Sequence, residues 1–92
     1  MTGKDLWEFI DDLYCNAETE FVLDGQAYIV EGWRNADGTY TIELNAVGDS
    51  PRTLFSHTST SRQEVVETFE SAKVFGGKTI YDIEKDISVL YG

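Results

Sequence analysis

An Asp24-Gly25 dipeptide stands between two runs rich in β-branched and aromatic residues, 19–23 and 26–33, and it constrains the fold more than any other feature of the chain. A two-residue link of this kind favours a type I′ turn, because both central positions need positive φ and glycine adopts it without steric cost. The turn in turn fixes a register. Leu23 opposes Gln26, so Phe21 pairs with Tyr28 and Thr19 with Val30 on one face, while Val22 pairs with Ala27 and Glu20 with Ile29 on the other.

The strand rhythm continues beyond this hairpin. A five-residue loop over 34–38, ending in Asp37-Gly38, sets Gly32 against Tyr40, Val30 against Ile42 and Tyr28 against Leu44, which gathers one apolar face. A four-residue loop would set Trp33 against Tyr40 and expose Val30, so burial favours the longer one. Residues 39–46 then form a third strand, 47–51 a turn and 52–58 a fourth strand, completing an antiparallel meander.

Helical spacing frames the meander. Thr2, with Asp5 three residues on, reads as an N-cap; Leu6, Ile10 and Leu13 form an apolar line flanked by Trp7, Phe9 and Tyr14, with Glu8, Asp11 and Asp12 opposite. Ser61-Arg62-Gln63-Glu64 is a capping box ahead of Val65, Val66, Phe69 and Ala72. After Gly76-Gly77, Thr79 and Asp82 open a last helix with Ile80, Ile83, Ile87 and Leu90 in line. The expected architecture is α+β: a four-stranded antiparallel meander with one N-terminal helix and two C-terminal helices, α-β-β-β-β-α-α. The helices belong mostly on the face of Tyr28, Val30, Tyr40 and Ile42. Periodicity leaves open whether the last helix also covers the other face.

A chain of 92 residues fits one domain, 1–92, burying roughly 60–65% of its unfolded surface. At 41% hydrophobic and 13% aromatic it is too apolar for disorder. No stretch approaches the ~20 apolar residues of a membrane span, and the polar start Met-Thr-Gly-Lys-Asp lacks a signal-peptide run, so a cytoplasmic location is expected. Cys15, the one cysteine, has no intrachain partner for a disulfide.

Seventeen acidic against seven basic residues give a net charge of -10. Such a chain repels phosphate backbones and anionic membranes, so neither is an expected partner. The charge serves solubility or attracts a basic partner.

Few residues offer chemistry. A structural zinc site needs about four Cys or His ligands, and the chain has one of each. Asp24-Gly25 and Asp37-Gly38 are turns, since neither continues with the alternating oxygen ligands of a calcium loop. Cys15 with His57 is the one conceivable nucleophile and base; the ordinary alternatives are a small buried residue closing a helix and a histidine bonded to neighbouring hydroxyls. Gly76-Gly77-Lys78-Thr79 ends like a phosphate loop, but Ala72 stands where the earlier glycine belongs. No catalytic residue, metal or cofactor is assigned.

The face carrying Glu20, Val22, Ile29, Glu31, Trp33, Thr39, Thr41 and Glu43 alternates apolar and acidic residues, and if uncovered it is a patch rimmed by carboxylates. Arg34 is placed to stack on Trp33. With its short helix, Asp-Gly hairpin, Gly32-Trp33 before Asp37-Gly38-Thr39-Tyr40, and closing segment 69–92, the chain resembles small acidic accessory proteins of Firmicutes mobile elements and phages. Anti-CRISPR inhibitors are among these. The resemblance implies a protein-binding inhibitor whose partner is a basic nucleic-acid-binding protein such as an RNA-guided nuclease. The candidate contacts are Glu8, Asp11 and Asp12 on the first helix, Glu20, Glu31 and Glu43 on the sheet, and Glu64, Glu67 and Glu70 on the second helix, with Trp33 as apolar anchor. The alternative is an interaction or structural module that binds through the apolar sheet patch or forms a homodimer through the fourth strand's edge.

Overall fold

The computed structural model describes residues 1–15 and 17–91. Its elements run α1 (Leu6–Tyr14), β1 (Glu18–Leu23), β2 (Gln26–Arg34), β3 (Tyr40–Val47), β4 (Arg52–Ser59), α2 (Arg62–Ser71), α3 (Ile80–Ile83), a 3-10 turn (Glu84–Asp86) and β5 (Ser88–Tyr91). The sheet order is β4-β3-β2-β1-β5, antiparallel throughout, so the expected meander is present with a fifth strand added beside β1.

The first hairpin forms as its turn dictates. Asp24 and Gly25 both take positive φ, 51° and 78°, and Leu23 opposes Gln26, with Phe21 opposite Tyr28 and Thr19 opposite Val30. The β2–β3 register departs from expectation by two residues: Gly32 lies opposite Ile42, Val30 opposite Leu44 and Tyr28 opposite Ala46. The loop is five residues long, as expected, but spans 35–39. Asn35 closes it, its N–H donating to the Thr39 carbonyl at 2.8 Å while its own carbonyl accepts from Gly38 N–H at 3.0 Å. A two-residue slip preserves face parity, so the intended apolar face is still assembled.

That face is the core. Phe21, Val30, Ile42 and Leu44 meet Phe9, Leu13, Val65, Val66, Phe69, Ile80, Ile83 and Ile87 in one cluster. Aromatic contacts tie the layers: Phe9 meets Phe21 edge-on at 5.8 Å, Phe21 stacks on Tyr28 at 5.4 Å, and Phe55 meets Phe69 edge-on at 5.5 Å. Fully burying side chains of this size stabilises by about 1.5–3 kcal/mol each.

Both ends of the chain differ from their expected form. Helix α1 is capped by Asp5, whose carboxylate accepts from Glu8 N–H at 2.9 Å, and not by Thr2. Thr2 instead bridges to β5, donating its N–H to the Ile87 carbonyl at 2.9 Å and accepting from Val89 N–H at 2.8 Å. The expected last helix stops after Ile83. Residues 87–90 satisfy a period of two as well as a helical line, Ile87 being buried and Val89 half-buried while Ser88 and Leu90 are exposed. Extended pairing also satisfies the backbone of β1, which would otherwise be a bare edge.

Of the two C-terminal caps, the one at Thr79 and not the one at Ser61 has the reciprocal carboxylate contact. Ser61 accepts from Glu64 N–H at 3.2 Å, but the Glu64 carboxylate turns to His57, and Ser61 N–H donates to Ser59 Oγ. At Thr79 it is Asp82 Oδ2 that accepts from both the backbone N–H, at 2.9 Å, and the hydroxyl, at 3.1 Å.

Candidate interaction surface: the open sheet face

All three α-helices contribute to the single core on one side of the sheet, and the other side is left open. Val22, Ile29 and Trp33 point to that side, are half-buried, and do not join the core cluster. The face is therefore available, which sequence periodicity could not decide.

Its centre is a row of carboxylates in register. Glu18 on β1 lies opposite Glu31 on β2, and Glu31 lies opposite Glu43 on β3, with Ser56 of β4 continuing the row. Like charges directly opposite one another oppose folding by a few tenths of a kcal/mol, up to about 1. The effect appears at Glu31, whose carboxyl is pushed above the usual range first by burial, then by the charge and hydrogen bonding of Glu18, and then by the charge of Glu43. Glu20 sits in the next row, opposite Ile29. Asn45, opposite Ile29 from the β3 side, donates to Glu43 Oε1 at 2.9 Å and accepts from Thr53 Oγ1 at 2.6 Å, which anchors Glu43.

A second network fixes the far end of the face. Trp33 Nε1 donates to Asn35 Oδ1 at 3.0 Å; Asn35 Nδ2 donates to Thr39 Oγ1 and Thr41 Oγ1 at 3.0 and 2.9 Å; Thr41 and Thr58 share a hydroxyl contact of 2.7 Å. Asp37 accepts from the Thr39 N–H and hydroxyl, which holds its carboxyl below the usual range. Trp33 is thus a braced, half-exposed ring. Arg34 does not stack on it: strand alternation puts Arg34 on the helix side, and the cation resting on an aromatic ring is Arg62, 4.6 Å from the Tyr40 centroid. By the same alternation no Lys or Arg of the described strands lies on the open face.

The remaining candidate acids lie on the helix layer, across the sheet from this row. Glu8 and Asp11 are exposed, whereas Asp12 is half-buried and ion-paired with Lys4. Glu64 is engaged by His57 Nε2 at 2.9 Å, which lowers its pKa. Glu67 accepts from Gln63 at 3.1 Å, and Glu70 accepts from the Tyr81 hydroxyl. That last bond, followed by burial and the Glu70 charge, pushes the Tyr81 phenol up to about 12. Glu67, Glu70, Ser71, Thr79 and Tyr81 line a shallow cleft there.

Among the described residues the most exposed large apolar side chain is Trp7, at 84%, which sequence spacing put beside the apolar arc of α1. Cys15 is exposed at the end of α1 and not buried, and no hydrogen bond joins it to His57 among the described residues. Among those residues no three His, Cys, Asp or Glu side chains are arranged to hold a metal ion, and no helix is long and apolar enough to cross a membrane. Glu18 is the one member of the carboxylate row that sequence reasoning passed over. Extending the Asp-Gly register by one residue past Thr19 would have placed it opposite Glu31.

The fold and this face define a two-layer α+β domain with helices on one side and an acidic sheet surface on the other. In comparison with known proteins, no family model, no curated protein and no solved structure matches the chain.

Proposed function

We propose that this protein is an acidic inhibitor that binds a basic, nucleic-acid-binding surface of a partner protein through its open sheet face, in the manner of anti-CRISPR inhibitors. The carboxylate row Glu18, Glu31 and Glu43 carries this reading. Strands are spaced about 4.8 Å apart, so the row sets negative charges at an interval of the same order as the ~3.4 Å of helix axis per phosphate of one DNA strand. A groove built for a phosphate backbone presents Lys and Arg at such intervals. Guanidinium groups pair with carboxylates in the same bidentate geometry that they use for phosphate.

Electrostatics and stability agree with this reading. A net charge of -10 accelerates encounter with a cationic surface, and a cation docked between Glu31 and its neighbours relieves repulsion that the free protein retains. Glu20 flanks the row, and Ile29 with Trp33 supplies apolar contact area beside it. Glu8, Asp11, Glu67 and Glu70, on the opposite layer, contribute long-range attraction without touching the same site.

Capture from a host lysate tests the proposal. The protein retains a basic nucleic-acid-binding protein at ~0.15 M salt and releases much of it at ~0.5 M, where the Debye length falls to a few ångströms. A combined Glu18→Gln, Glu31→Gln, Glu43→Gln variant loses that partner, and added nucleic acid competes for it. Retention unchanged in the triple variant overturns the proposal; capture that survives high salt points to apolar contact through Trp33 and Ile29.

A further inference from the structure

We propose that the protein self-associates as a two-fold dimer by antiparallel pairing of its β4 edges, which joins the two sheets into one. Strand β4 spans Arg52–Ser59 at one margin of the sheet, and no backbone hydrogen bond leaves its outer edge among the described residues. The other margin is guarded. Strand β5 is four residues long, and the Thr2 bridge occupies its outer side, with Gly3 packed so closely on Val89 that an added Cβ would lie 2.7 Å from the Val89 carbonyl oxygen.

Edge strands that stay monomeric are commonly protected by charge, proline or a bulge. On β4, Pro51 lies outside the strand and Arg52 is its one charged residue apart from the titratable His57. A bulge does occur, where the register skips Leu54 between Thr53 and Phe55. It leaves residues 55–59 as a regular edge, and pairing centred on His57 sets Ser56 against the partner's Thr58 and Phe55 against the partner's Ser59.

Charge identifies a second copy as the occupant. Residues 50–63 contain no acid, although the chain as a whole carries seventeen. Two copies of a molecule with net charge -10 repel wherever acidic surface meets acidic surface, and the β4 strand carries no acid of its own, the Glu64 carboxylate beside His57 coming from α2 on the helix side. Pairing about an axis normal to the sheet keeps both helix layers on one side and both carboxylate rows on the other. Glu43 and the partner's Glu43 then lie roughly 16 Å apart, counted as three strand spacings with a two-residue offset. The acidic face is thereby doubled. An edge of five residues is a small interface, in the class below ~1,200 Å² that gives reversible, concentration-dependent association.

Sedimentation equilibrium of the full chain between about 10 µM and about 1 mM tests this, since a small interface is half-populated within that range. The expected mass rises from 10.4 kDa towards twice that value and no further. Ser56→Glu and Ser56→Lys, at an exposed position, each weaken dimerisation about two- to fivefold, and an equimolar mixture of the two regains it, because opposite charges replace like charges on the diagonal across the axis. Circular dichroism confirms that each variant is folded, and the mixture reports on the interface even if each is somewhat less stable. A mass of 10.4 kDa at every concentration overturns the proposal. So does growth beyond a dimer, or a mixture that associates no better than the separate variants.

Discussion

Glu31 and Glu43 stand directly opposite each other on β2 and β3, on the side of the sheet that no helix covers. Glu18 opposes Glu31 from β1, so one carboxylate is flanked on both sides by its own charge. This arrangement works against folding and is therefore informative about use.

Replacing Glu31 with Gln is expected to stabilise the free protein at neutral pH while weakening its hold on a basic partner. Removing one like-charge pair relieves roughly 0.2–1 kcal/mol. The folded-state pKa of Glu31 is raised, so the proton is held more tightly in the folded than in the unfolded chain. That contribution is complete below the unfolded pKa and is lost as pH rises through the higher folded value. Denaturant titrations between pH 4 and 7 check this: the stability difference between Glu31→Gln and the original chain grows with pH. No difference at any pH would count against the repulsion.

Tyr81 gives a spectroscopic signature. With its hydroxyl held by Glu70 and its pKa near 12, it ionises after an ordinary tyrosine. The stabilisation from that bond is present below the unfolded pKa and disappears as pH rises through the folded one. Absorbance titration at alkaline pH is expected to lose its last tyrosine step in Tyr81→Phe. Because Tyr81 is 51% exposed, the variant costs less than about 1 kcal/mol at neutral pH.

The His57–Glu64 contact predicts an acid-side effect of opposite sign. Glu64 is held below the usual carboxylate range, first by its hydrogen bond to His57 and then by Ser59. Its contribution is present above the unfolded carboxylate pKa and is lost as pH falls through the lowered folded value. Replacing His57 with Ala is expected to lower the thermal midpoint modestly at pH 6. The difference from the original chain narrows as Glu64 titrates, which melts at a series of acidic pH values would record.

Gly25 tests the turn that orders the sheet. It sits at φ 78° with open space where a side chain would go, so substitution meets backbone strain and not a clash. Gly25→Ala is expected to cost about 1–2 kcal/mol, read as a lower denaturation midpoint with an unchanged slope. Gly25→Asn, which tolerates this region, recovers part of the loss.

Much of the molecule follows from short-range rules. The Asp24-Gly25 turn set the β1–β2 register residue by residue, since a two-residue link leaves the strands one way to pair. The apolar rhythm of β2 and β3 selected the buried face even though the register slipped by two, because face depends on parity and not on the offset. The slipped register goes with a loop that Asn35 closes, through its backbone to Thr39 and Gly38 and through its side chain to Thr39 and Thr41.

The candidate site divides in the same way. Glu20, Glu31 and Glu43 were legible as one face because alternation along a strand is local, and Glu18 needed one more step of the same count. Their union with Glu8, Asp11, Asp12, Glu64, Glu67 and Glu70 into one surface was not legible, and the fold separates them across the sheet. Helical spacing likewise grouped Trp7 with the core residues of α1, but the arc that the sheet and α2 can cover ends short of it.

By itself the sequence determined an acidic α+β chain, a meander, its inward face and the turn at its centre, since each rests on charge, alternation or backbone chirality within a few residues. Tertiary structure alone decided the fate of residues 87–91. That segment matches a helix and a strand about equally, and the unpaired edge of β1, far away in sequence, took it as β5. The same pairing drew Thr2 onto the new margin and left β4 as the open one. The helices lie together on the inner face, which leaves the carboxylate row uncovered.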